Sequence, residues 1–156
     1  MADTVRPLFI FPYSRQLKES EAVAVMAGMQ SFLSSWDSHG VAVMAGARLE
    51  DSHFLLVEIL SELPGGCSKD KLFRFVSLLN ADLGLPEAGA GSFFIQSKGE
   101  VLVLSRKDLK NNIMEGRLNA GDLLYPTWIS LNSEFSSLWK KPLSAFPALF
   151  PSRDLV

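Results

Sequence analysis

The sequence predicts an α+β fold: a ferredoxin-like two-layer sandwich of order β-α-β-β-α-β, carrying an added β-α-β-α extension. Three observations lead there. Two long segments repeat apolar residues at helical spacing, short apolar segments between them read as strands, and glycine- or proline-bearing turns punctuate both. The first six elements in that order match a split βαβ arrangement, with helices on one face of a mostly antiparallel sheet.

Leu8 to Tyr13 is apolar and aromatic, and its prolines at 7 and 12 suit an edge strand. From Glu19 the period changes. Ala22, Val25, Met26, Met29, Phe32, Leu33 and Trp36 fall on one helix face, and Gly40 stands where a left-handed residue would close the helix. Val41 to Leu49 reads as a strand with a bulge at Gly46, and His53 to Leu60 as its partner after the turn at Glu50-Asp51-Ser52. Ser68 is placed to cap a second helix carrying Leu72, Phe75, Val76, Leu79 and Leu83, closed by Gly84.

The extension begins after the loop Leu85 to Gly91. Phe93 to Gln96 and Val101 to Leu104 flank Ser97-Lys98-Gly99 as a hairpin. Ser105 and Asp108 form a variant capping box for a helix to about Arg117. Leu123 to Ile129 predicts an edge strand because it contains Pro126, and Asn132 to Trp139 a short helix.

The 156 residues suit a single domain with one sizeable core, and 47% apolar with 21% charged residues is ordinary globular composition. A mean hydropathy of +0.17 leaves room for a buried oligomer surface, so a homodimer or a protein partner is an open expectation. The net charge of −2 is spread along the chain with no basic block, which argues against nucleic acid as a partner. The clusters Arg106, Lys107, Lys110 and Lys69, Lys71, Arg74 read as solvated helix faces. No apolar run is long enough for a signal peptide or a bilayer span, and one cysteine forms no internal disulfide. The expected setting is the cytoplasm, with no membrane association.

Gly65-Gly66-Cys67-Ser68-Lys69 holds the most chemistry. A thiol at a helix N-terminus gains from the free N–H groups and the positive dipole end, which stabilise the reactive thiolate. The same geometry with Gly65, Gly66, Ser68 and Lys69 suits an anion or a nucleotide phosphate. The plainer reading is a structural turn with Cys67 shielded as a small apolar residue. His39 is the candidate partner for Cys67, or else a group at a helix C-terminus; His53 reads as a surface residue. One cysteine and two distant histidines make no metal site, and no cofactor motif is present. Glu58, inside an apolar strand, is either partly buried or, as strand alternation favours, turned to water. Trp36, Trp128 and Trp139 read as core or interface anchors, since their large area rewards burial. The tail from about 132 to 156 is apolar through Trp139, Phe146 and Phe150, which must pack on the domain or serve as an interface with a partner.

Several motifs together carry a resemblance: the aromatic strand before Arg15-Gln16-Leu17, Phe32-x-x-x-Trp36-x-x-His39-Gly40, Gly66-Cys67-Ser68 with Phe75, and Leu131-Asn132-Ser133-x-Phe135 with Trp139 and Pro142. In these the chain resembles an uncharacterised family of bacterial proteins of about this length, whose members often carry the label of an ABC transporter ATPase. The residues here contradict that label. No G-x-x-x-x-G-K-S/T loop exists to cradle phosphates, and no apolar strand ends in a magnesium-binding carboxylate. The function expected is that of a non-enzymatic binding or regulatory module. The alternatives are a thiol-dependent enzyme or redox sensor at Cys67, and an anion binder at the glycine loop.

Overall fold

Strand β5 (Phe54–Ile59) organises the first half of the chain, because five of its six residues are buried and only Glu58 is partly exposed. A computed structural model describes residues 5–156 of the chain. β5 pairs antiparallel with β1 (Leu8–Pro12) on one side and β4 (Ala45–Glu50) on the other, giving the order β1-β5-β4. Two helices cover one face, α1 (Glu19–Ser35) and α2 (Gly66–Leu83). Val25 and Met29 of α1, Leu72 and Val76 of α2, and Val57 and Ile59 of β5 form that core. Each such side chain removed from water is worth on the order of 2 kcal/mol.

Local chemistry explains where the helices begin and end. Lys18 N–H donates to the Glu21 carboxylate at 2.8 Å, closing the first turn of α1. Arg15 also grips Glu21 at 2.8 Å and, with that backbone bond, pulls its carboxyl down to about 2. Gly84, at φ 64°, ends α2 as its sequence predicts. Gly40 does not end α1. The helix stops at Ser35, and a small hairpin follows, β2 (Asp37–Ser38) and β3 (Val41–Ala42). His39 and Gly40, at φ 52° and 80°, make its turn, since two successive positive φ values match the twist of a two-residue hairpin loop.

The structure departs from the sequence expectation at several other residues. Val41 to Leu49 is two strands, and Gly46 is no bulge: it pairs regularly with Glu58. Ser68 is not the N-cap of α2; that position belongs to Gly65. His53 is buried, not on the surface, and burial pushes its imidazole below its ordinary value. Glu58 is partly buried, 3.9 Å from Arg6.

The two edges of the sheet differ. β1 is bridged beyond β5 at both ends: Pro7 to Leu131, and Tyr13 to Glu87. Leu8 N–H donates to Ser130 C=O, and Ser14 N–H to Pro86 C=O, both at 2.9 Å. Among the described residues, β4 has only β5 beside it.

The chain divides into two compact units, one ending at Ala88 and including Ser130–Ser133, the other Gly89–Ile129 with Glu134–Val156. The second unit is built on a sheet of order β7-β6-β8-β9, from β6 (Phe93–Ser97), β7 (Glu100–Leu104), β8 (Leu123–Tyr125) and β9 (Lys141–Pro142). The strand after α2 is therefore a member of a separate sheet and does not complete the first, as a ferredoxin-like order requires. β8 is internal, not an edge, because it stops at Tyr125 and leaves Pro126 outside the ladder.

Helix α3 (Arg106–Met114) is capped as expected by Ser105, which accepts from Asp108 N–H at 3.1 Å, but it ends three residues short of Arg117. Helix α4 (Asn132–Leu138) precedes the tail. Leu143 and Phe150 of the tail are buried with Ile95, Leu118 and Leu124, so these apolar groups form the core of the second unit.

Candidate functional site

The turn before α2 gathers most of the chemistry-bearing residues. Trp36 is buried and its indole N–H donates to Ser68 C=O at 3.0 Å. The Ser68 hydroxyl donates to Asp37 C=O at 3.0 Å, and Gly65 N–H donates to the Ser38 hydroxyl at 3.1 Å. These three bonds clamp the β2–β3 hairpin onto the first turn of α2. His39, at the hairpin tip, is exposed, and a Cβ placed on Gly65 would stand 3.5 Å from its Nε2. His39 therefore lies beside the N-terminus of α2 and not at a helix C-terminus.

Cys67 is exposed, which corrects the expectation of a shielded thiol. The reason is register. With Gly65 as N-cap, Cys67 falls on the outer side of the first turn, while Ser68 takes the buried position facing Asp37. Gly66 is exposed, the Ser68 hydroxyl is engaged with Asp37, and Lys69 N–H already donates to Gly65 C=O at 3.0 Å. Among the described residues, no three His, Cys, Asp or Glu converge on a metal-sized position.

The interface candidates sit in the second unit. Trp139 is buried, stacked on Phe135 at 5.0 Å and edge-on to Tyr125 at 5.3 Å. Phe150 is buried and Phe146 half-buried beside it. Trp128, read as a core or interface anchor, is 53% exposed and so lies outside the core. No helix among the described residues is long and apolar enough to cross a membrane.

Sequence reading missed the outer edge of β4. Met44 C=O accepts from Leu60 N–H at 2.8 Å, so Met44 directs its backbone toward β5. By alternation Gly46, Arg48 and Glu50 do the same, and Ala45, Ala47 and Leu49 direct their N–H and C=O groups outward, with no strand among the described residues to receive them. A groove of about 500 Å³ runs beside this edge, lined by Gln30, Leu33, Ser34, Trp36, Val43 and Met44, none of them charged. Met44 is 61% exposed and Val41 70%. The signal in the sequence was Ala45-Gly46-Ala47, small residues that leave a strand edge uncovered, but a single strand from Val41 to Leu49 concealed it.

The opposite edge carries a polar chain that runs from buried Tyr13 and Asn80 to exposed Glu87. The Tyr13 hydroxyl donates to Asn80 Oδ1 at 2.9 Å, and Asn80 Nδ2 donates to the Glu87 carboxylate at 3.0 Å. Burial, reinforced by the charge of Glu87, pushes the Tyr13 phenol up to about 12. Compared with models of protein families, with curated proteins and with solved structures, the chain matches none.

Proposed function

We propose that the chain is a non-enzymatic binding or regulatory module whose contact element is β4. The observation that carries this reading is the outward row of backbone groups on Ala45, Ala47 and Leu49 beside an uncharged groove. An unpaired strand edge is a template for another extended strand, with main-chain bonds supplying affinity and a neighbouring groove supplying selectivity. We read the first unit as a ferredoxin-like split βαβ whose fourth strand is reduced to the bridge at Glu87, which closes β1 and leaves β4 open. An exposed lone thiol accords with a reducing, cytoplasmic setting.

The test is comparative capture from native lysate with the wild type and Ala47→Pro. Proline there removes an outward N–H and spares the ladder to β5. Companions held by the wild type and lost with the variant support the reading. Companions held equally by both would sink it.

One observation favours a second reading, a thiol site: Cys67 is exposed beside a turn that carries His39. Such a site requires rapid alkylation of the native protein at pH 6, slowed by His39→Ala. Labelling at the rate of a free peptide thiol, indifferent to His39, removes this reading.

A further inference from the structure

We infer that the open edge of β4 pairs with β4 of a second copy of this chain, antiparallel about a two-fold axis, joining two sheets into one. The inference rests on β4 being the contact element and names its partner.

The strand is complementary to itself. Ala45, Ala47 and Leu49 face the helix-covered side and pack against its core, while Gly46, Arg48 and Glu50 face the other way. A copy laid alongside carries the same uncharged row, Ala-x-Ala-x-Leu, to the groove lined by Leu33, Trp36 and Met44, which holds no charge to oppose it. On the other face, Arg48 is bonded to Glu50 of its own strand at 3.2 Å, so the edge carries no net charge to repel a second copy. Charge on an edge strand is the usual guard against such pairing, and here it is neutralised.

The register follows from which residues point outward. With the axis at Ala47, Ala45 meets Leu49 of the second copy and Ala47 meets Ala47, all three being positions whose backbone groups are turned outward. Arg48 then lies opposite Gly46 of the second copy, where nothing occupies the space within 4 Å of an added Cβ. An axis at Arg48 would set like charges directly opposite each other, which destabilises a pair. An axis at Leu49 would run the ladder into Asp51, whose φ of 51° is outside strand geometry. An unrelated peptide would need the same two features, a small uncharged row and a small residue facing Arg48. β4 possesses both.

The experiment is sedimentation velocity across a wide concentration range, on the full chain and on Gly46→Glu, Gly46→Lys and Ala47→Pro, with circular dichroism to verify each fold. The wild type should move from the 17.2 kDa monomer toward twice that mass as concentration rises. Gly46→Glu places a carboxylate opposite Arg48 of the second copy and should tighten pairing severalfold. Gly46→Lys should weaken it by a similar factor, and a folded Ala47→Pro should stay monomeric. A wild type that remains at 17.2 kDa, or Glu and Lys variants that pair alike, overturns the inference. A monomeric wild type that still holds companions lost with Ala47→Pro would overturn the second copy alone and leave the binding module standing.

Discussion

Among the described residues, the first sheet has one edge closed by its own chain and one edge open. At β1, two prolines, the bridges to Leu131 and Glu87 and a buried phenol remove the strand from further pairing. At β4, small residues and a neutralised ion pair do nothing of the kind. Both edges belong to one sheet and face the same solvent, so the difference shows where the molecule spends polar groups on closure. A strand edge costs little to leave open only where its exposure is useful, because open edges invite aggregation.

The strongest way to break the comparison is at Tyr13, which is fully buried and holds the closed edge through Asn80. Tyr13→Ala leaves a large cavity and an unpaired Asn80 amide oxygen, and should cost about 4 kcal/mol in urea unfolding. A loss under about 1 kcal/mol would mean that the edge is held by its backbone bridges alone.

Tyr13 also gives the closed edge a pH signature. Its phenol titrates near 12 in the folded chain against 10 for the ordinary group. Below pH 10 the side chain is protonated in both states and its contribution is fully present. Between pH 10 and 12 the unfolded chain loses this proton first, so stability falls, by up to about 2.7 kcal/mol for a two-unit shift. Thermal melts should show this slope in the wild type and a shallower one in Tyr13→Phe, whose ring cannot ionise. Equal slopes would place the phenol in contact with water.

Much of this was legible in the sequence, and for identifiable reasons. Helices α1 and α2 announced themselves because Val25, Met29, Leu72 and Val76 sit at spacings that only a helix brings to one face. The Ser105 cap and the Gly84 stop are local chemistry and were equally readable. The turn-linked neighbours were equally legible, β4 with β5 and β6 with β7, but the sheet that each pair joins was not, since Phe93–Ser97 looks alike whether it completes the first sheet or begins a second. The types of Cys67 and His39 mark them as residues of interest, but their exposure depends on whether Gly65 or Ser68 starts α2. That choice is made by a contact across the fold, the Ser68 hydroxyl on Asp37 C=O, which no local pattern encodes.

Proline substitution compares adjacent residues on the open edge. Arg48 turns its N–H toward β5, and Arg48→Pro should cost about 2 kcal/mol by stranding a ladder acceptor. Ala47 turns its N–H outward, and Ala47→Pro should cost far less in dilute monomer. Urea unfolding of both variants at low concentration decides it. Equal losses would show that Ala47 is bonded in the monomer and that the edge is not open.

The smallest effect sharpens the comparison most cheaply. Gly46 looked like a bulge, yet it pairs in register with Glu58, its φ is not positive, and an added Cβ meets nothing within 4 Å. A glycine in such a place supplies no needed conformation and costs entropy, because the unfolded chain is freer at glycine than at alanine. Gly46→Ala should therefore stabilise the monomer by about 0.5 kcal/mol, visible as a small rise in midpoint at unchanged slope in urea. The corresponding substitution at the closed edge has no such margin, since the residues of β1 are held by side-chain packing and flanking bridges. Destabilisation by Gly46→Ala would mean that the strand needs glycine after all, and that the edge of β4 is bent away from the straight ladder that a second strand requires.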